Sequence, residues 1–131
     1  MGLERGVRPI GDCPTIILKD GQPWVALGTP GGHTIGQTVP QMVMNLVDYN
    51  MNIQQALDAP RISFIEPNKL AVEHTIEMDV IESLMIMGHS VVTTGGLGNA
   101  HAIMIIRDNG GNITGFLGAA DPRGSGEARV Y

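Results

Sequence analysis

Thr15-Ile16-Ile17-Leu18-Lys19-Asp20-Gly21-Gln22-Pro23-Trp24-Val25-Ala26-Leu27-Gly28-Thr29-Pro30-Gly31-Gly32-His33 is the stretch on which the reading of the fold turns. Thr15 to Leu18 and Trp24 to Leu27 are two short β-prone runs, and the Asp20-Gly21 pair between them is the strongest short hairpin signal a sequence offers. An antiparallel hairpin is expected. Gly28-Thr29-Pro30-Gly31-Gly32-His33 is a turn with unusual backbone freedom, and it leads into a helical pattern. Ile35, Val39, Met42, Val43, Leu46 and Val47 trace one helix face that ends near Tyr49-Asn50. Pro40 is tolerated if the first turn begins near Thr38, and kinks the helix otherwise.

Further along, Ile53 to Asp58 reads as a short helix stopped by Ala59-Pro60, since a residue before proline avoids the helical region. Arg61 to Ile65 and Leu70 to Glu73 read as strands around the turn-rich Glu66-Pro67-Asn68-Lys69. Thr75 is the expected N-cap of a helix with Glu77 and Asp79 in its first turn, an apolar stripe of Ile76, Val80, Ile81 and Leu84, and a stop at Gly88. Ser90 to Thr94, Ala100 to Arg107 and Ile113 to Ala119 complete the strands. The order ββααββαβββ describes an α+β domain over residues 14–131, with packed helices and a largely antiparallel sheet. Residues 1–13 lack periodicity and read as an arm or loop.

The chain has 131 residues, enough for one domain with a core of its own. Eight basic against 13 acidic residues give a net charge of −5 with no basic concentration, which argues against nucleic-acid binding. Hydrophobic residues at 43% and charged ones at 16% exclude a disordered chain. No apolar run approaches a membrane span and no leader is recognisable near Met1, so the chain reads as soluble. Cys13 is the single cysteine, so no intrachain disulfide forms; this fits a reducing compartment and leans toward the cytoplasm. Methionines such as Met42, Met44, Met85 and Met87 read as packing residues.

Among candidate chemical groups, Pro30-Gly31-Gly32 stands between a strand end and a helix start. Paired glycines admit close backbone approach, and the first amides of a helix lack internal partners, so the turn is a candidate oxyanion hole as well as a plain tight turn. His33, His74, His89 and His101 are widely spaced and lack the pairing of a metal site. His33 reads as a solvent-facing first-turn residue more readily than as a proton carrier. Asp121-Pro122-Arg123 reads as a structural ion pair closing the last loop rather than an acid and base at work. Cys13 has no obvious base beside it. The glycine turn lacks the Lys-Ser/Thr ending of a phosphate loop. No metal and no organic cofactor are implied.

Taken in order, Pro14-Thr15-Ile16-Ile17, Lys19-Asp20-Gly21, Gly28-Thr29-Pro30-Gly31-Gly32, Asp48-Tyr49, Ala56, Ala59-Pro60-Arg61, Leu70-Ala71-Val72-Glu73, Gly88-His89-Ser90-Val91 and Ala119-Ala120-Asp121-Pro122-Arg123 resemble the C-terminal part of the small subunit of γ-glutamyltranspeptidases. The resemblance implies part of an N-terminal-nucleophile hydrolase, a four-layer αββα sandwich. It implies self-cleavage of a precursor that exposes a threonine, whose hydroxyl attacks a γ-glutamyl amide with its own α-amino group as base. Water or an acceptor amine then resolves the acyl-enzyme. The backbone amides of Gly31 and Gly32 correspond to the oxyanion hole, and Gly32 to a substrate contact.

The departures set further expectations. The nucleophile of the family stands upstream of everything seen here, and Thr15, Thr29, Thr34 and Thr38 are internal without a free amine. The chain alone is therefore expected to be inactive and to need the rest of the small subunit and the large subunit, or an oligomer mate. A serine pair that holds the glutamyl carboxylate in the family is replaced by Ile10-Gly11-Asp12-Cys13, where Asp12 would repel a carboxylate. This likens the chain to divergent acylase-like members acting on other small amides. The other reading is a stand-alone, non-catalytic domain that binds an anionic ligand or a protein at the same glycine turn; a degenerate remnant unable to fold alone is the third.

Overall fold

The computed structural model describes residues 13–129. The hairpin forms as β1 (Thr15–Lys19) and β2 (Gln22–Gly28), with Lys19 opposite Gln22. Asp20 and Gly21 both take positive φ, 52° and 76°, the pair of left-handed residues that a two-residue turn between twisted strands requires. A single turn of 3-10 helix (Gly32–Thr34) runs into α1 (Ile35–Val47), followed by α2 (Ile53–Asp58), β3 (Ile62–Ile65), β4 (Lys69–Glu73), α3 (Met78–Ile86), β5 (Ser90–Thr94), β6 (His101–Arg107) and β7 (Ile113–Ala120). The α+β expectation holds, element for element.

Two sheets result, one of order β1-β2-β6-β7 and one of order β3-β4-β5. Every pair is antiparallel except β4–β5, which α3 joins as a parallel crossover. One face of the four-stranded sheet supplies Val25, Leu27, Ala102 and Ala119 to the core; α1 meets them with Ile35, Val39, Met42 and Leu46, and α2 with Ile53, Ala56 and Leu57.

Helix α1 begins at Ile35 rather than near Thr38, so Pro40 lies inside it. A helix-interior proline costs about 3 kcal/mol. Burying Ile35, Val39, Met42 and Leu46 contributes roughly 1.5–3 kcal/mol each, which outweighs it. Gln37 and Gln41 on the same helix reach the outer edge of β3. Gln41 exchanges both hydrogen bonds with the Ile62 backbone, at 2.8 and 2.9 Å, and Gln37 does the same with Phe64, at 3.3 and 2.6 Å. The unpaired edge is thereby closed by amide side chains. Asn52 and Gln55 form a reciprocal capping box on α2.

Three expectations are corrected. Thr75 sits in the turn closed by the Ile76 amide on the Glu73 carbonyl, and the N-cap of α3 is Glu77. Of the α3 stripe only Ile81 is fully buried, while Val80 is exposed. Met44, Met85 and Met87 are exposed instead of packed; of the four, Met42 alone is buried in the core. The helical period identifies an apolar face but not which of its residues a neighbour covers. Among the described residues no helix is long and apolar enough to cross a membrane.

Candidate functional site

The turn between β2 and α1 is built on two glycines held where other residues are strained. Gly31 has φ 147° and Gly32 φ 59°, and a Cβ on Gly31 would come within 2.6 Å of Thr34 Oγ1. The carbonyls of Pro30, Gly31 and Gly32 are all engaged. That of Gly31 accepts from the Thr34 amide at 3.2 Å and the Thr34 hydroxyl at 2.9 Å, that of Gly32 from the Ile35 amide, and that of Pro30 from the Thr29 hydroxyl at 2.9 Å. The amides of Gly31 and Gly32 have no acceptor among the described residues, and both glycines are exposed. Two N–H groups at the start of a helix therefore face outward, where the helix dipole adds partial positive charge.

Behind the turn lies the loop of residues 95–99. The Asn99 amide donates to Thr29 Oγ1 at 2.9 Å, and Gly98, at φ 84°, leaves room for that hydroxyl, because a Cβ there would come within 2.6 Å of it. The loop is fixed from below by a buried ionic cluster of Arg61, Glu73, Asp121 and Arg123. Arg61 Nη1 bonds Asp121 Oδ2 and the Leu97 carbonyl, both at 2.7 Å, and Nη2 bonds the Leu57 carbonyl. Glu73 Oε1 accepts the Leu97 amide at 2.6 Å, while Oε2 accepts the Arg61 amide at 2.9 Å. Asp121 Oδ2 accepts the Ala100 amide at 2.8 Å. Arg123 bridges the two carboxylates and also caps the Leu57 and Ala59 carbonyls at the end of α2.

Two cations and two anions cancel, which is what makes this burial tolerable. Burial alone would push both carboxyls up. For Glu73 the bonds from Arg123 and from the Arg61 and Leu97 amides outweigh it, and for Asp121 those from the Ala100 amide, Arg123 and Arg61 do, so both stay below the usual carboxylate range. Burial lowers the Arg61 guanidinium from its ordinary value despite Asp121, whereas for Arg123 the bonds to Glu73 and Asp121 overcome burial and raise it.

Of the residues singled out from sequence, Gly31 and Gly32 lie together at the exposed turn. Cys13 is exposed, with Sγ 3.8 Å from Thr15 Oγ1, and shares a shallow depression with Pro14, Gly28 and Thr29 beside the turn. Asp12 lies outside the described residues. His33 is exposed, next to Gln37, Phe64 and Glu66. His74 lies 3.3 Å from the Thr94 carbonyl, His89 and His101 lie elsewhere, and no metal-binding group of His, Cys, Asp and Glu occurs among the described residues. Asp121 and Arg123 form the expected structural pair. Sequence reading missed their partners Arg61 and Glu73, although Glu73, an acid ending the apolar run Leu70-Ala71-Val72, is the kind of residue that buries only with a cation.

Residues 6–131 match the family model described as gamma-glutamyltranspeptidase. The chain belongs to the γ-glutamyltranspeptidase family. Among relatives of this family, it is 37% identical over 118 residues to the glutathione hydrolase proenzyme of Escherichia coli, covering 88% of this chain and 20% of that protein. It is 36% identical over 104 residues to the acylase ACY 1 proenzyme of a Pseudomonas species, strain SE83, covering 79% of this chain and 18% of that one. Acylase-like members thus stand beside glutathione hydrolases. The crystal structure of a point mutant of the Helicobacter pylori γ-glutamyltranspeptidase superposes with TM-score 0.82 at 37% identity, over 93% of this chain and 66% of that one. The fold is that of the N-terminal-nucleophile hydrolases of this family. The chain spans about a fifth of the length of the curated relatives it matches.

Proposed function

We propose that this chain is the C-terminal portion of the small subunit of a γ-glutamyltranspeptidase-like acyltransferase or amidase, and that its Gly31 and Gly32 amides are the oxyanion hole. The observation that carries this reading is the turn itself: the Pro30, Gly31 and Gly32 carbonyls accept hydrogen bonds from the turn and the helix it starts, while both exposed glycine amides have no acceptor among the described residues. In the reaction, a threonine hydroxyl from outside this chain adds to the carbonyl carbon of a small amide, its α-amino group taking the proton. The carbonyl oxygen becomes an oxyanion, which the two amides bind more tightly than the neutral substrate. Collapse expels the amine, and water or an acceptor amine releases the acyl group. Residues 14–131 form the segment that carries this site; Gly32 also touches the substrate, and Asp12, standing in sequence where the family has its serine pair, disfavours a carboxylate on the acyl group.

The sheet supports membership in a larger sandwich over a stand-alone domain. Opposite its buried face, Ile16, Ala26 and Ile103 pair across three strands, and Phe116 lies one row on. Ile16 is 68%, Ile103 47% and Phe116 61% exposed, an apolar surface of the kind that a second sheet covers. The partners are then the remainder of the small subunit and the large subunit. The test is replacement of the Gly32 amide by an ester in the assembled enzyme, which removes one N–H and keeps the shape. Loss of about a hundredfold or more in kcat is expected; an unchanged rate excludes the assignment.

A further inference from the structure

We infer that Thr29 is a positioning residue for the oxyanion hole, fixing the direction of the Gly31 amide through the Pro30 carbonyl; this rests on the oxyanion reading above. The Pro30 carbonyl and the Gly31 N–H belong to one planar trans peptide, so they point in opposite directions and turn only together. Whatever holds the carbonyl on one side holds the amide on the other. That holder is the Thr29 hydroxyl, which donates to the Pro30 oxygen at 2.9 Å. Its single proton is committed there, so its lone pairs are free to accept, and the Asn99 amide fills one at 2.9 Å.

The Asn99 amide is in turn presented by pinned neighbours. Leu97 is held at both backbone atoms, its amide by Glu73 at 2.6 Å and its carbonyl by Arg61 at 2.7 Å, and the Ala100 amide is held by Asp121 at 2.8 Å. The buried ionic cluster thus fixes the backbone at Leu97 and Ala100, on either side of Asn99, and the Asn99–Thr29–Pro30 hydrogen bonds carry that restraint to the peptide that holds the Gly31 donor. Gly31 is where restraint is needed, because at φ 147° its backbone has freedom that other residues lack. Without the hydroxyl the peptide can rotate, swinging the donor away from the developing oxyanion and bringing the Pro30 carbonyl dipole toward it. The cost falls on the transition state more than on the bound substrate.

The test uses the full enzyme containing this chain, with the acyl anilide it cleaves fastest, γ-glutamyl anilide included in the panel. Thr29→Val keeps the shape and removes the hydroxyl; kcat should fall roughly tenfold to a hundredfold with KM within about twofold of the parent. Thr29→Ser restores the hydroxyl and should recover most of the rate. In the crystal structure of the valine variant the Pro30–Gly31 peptide should be rotated or split between orientations. Should the valine variant not assemble, Thr29→Ala is measured the same way. A valine or alanine enzyme with the parental kcat, or a serine variant as slow as valine, overturns the inference. The Gly32 ester separates the two readings: a slow ester with a fast valine variant refutes Thr29 alone, whereas a fast ester refutes the oxyanion hole itself.

Discussion

Replacing Asp121 with asparagine should open the loop of residues 95–100 without unfolding the helices. The carboxylate accepts from the Ala100 amide at 2.8 Å, Arg61 at 2.7 Å, and the Arg123 amide and guanidinium, both at 3.0 Å. Asparagine keeps the outline, yet its NH2 faces donors, and the Arg61 guanidinium, 1% exposed at its side chain, loses the carboxylate it pairs with. Breaking a buried pair in this way costs about 3–5 kcal/mol, because the remaining charge stays out of water. At 1.36 kcal/mol per power of ten, this corresponds to between about two and four powers of ten in local opening. The assay is hydrogen exchange of the Leu97 and Ala100 amides, which are bonded to Glu73 and Asp121 and open with the loop. Glu127→Gln, at an exposed pair with Arg129, serves as the control and should leave exchange unchanged. Protection within about threefold of the parent in the Asp121 variant would refute the claim that the cluster holds the loop.

Acid should act on the same cluster. Glu73 and Asp121 titrate below their ordinary values of 4.5 and 3.8, so their contribution is complete above those values and is lost as pH falls through the depressed ones. Leu97 protection, corrected for intrinsic exchange, should be flat from about pH 5 to 8 and decline below about 4; a step near neutrality would contradict this. Gly31→Ala places a Cβ 2.6 Å from Thr34 Oγ1 at φ 147°, so kcat should drop by about tenfold or more while the melting temperature of the assembled enzyme changes little. Ile103→Asp puts a charge in the middle of the open sheet face and should block assembly, read as loss of the larger species in native mass spectrometry.

What the sequence reveals about this chain is mostly local. The Asp20-Gly21 turn, the stop of α2 before Ala59-Pro60 and the stop of α3 before Gly88, at φ 97°, are each decided by a few neighbouring residues and fall where the pattern puts them. The glycine turn is likewise legible, since adjacent glycines between a strand and a helix announce positive φ. Whether Pro40 falls in the first turn or inside α1 is not, because the helix start at Ile35 depends on burial of that residue against the sheet. Of the ionic cluster only the Asp121–Arg123 pair is legible, because Arg61 and Glu73 come from two other segments and meet it only when the chain is folded. The outward methionines of α3 and the bare face around Ile103 follow from what the neighbouring layers cover, which periodicity does not encode.

The central claim is that the Gly31 and Gly32 amides bind the oxyanion, and its most direct measurement is a crystal structure of the assembled enzyme with a boronate held as a tetrahedral anion on the nucleophilic threonine. One boronate oxygen should lie about 2.7–3.1 Å from both glycine nitrogens. A boronate oxygen directed at other donors, with both glycine amides left free, would contradict the account.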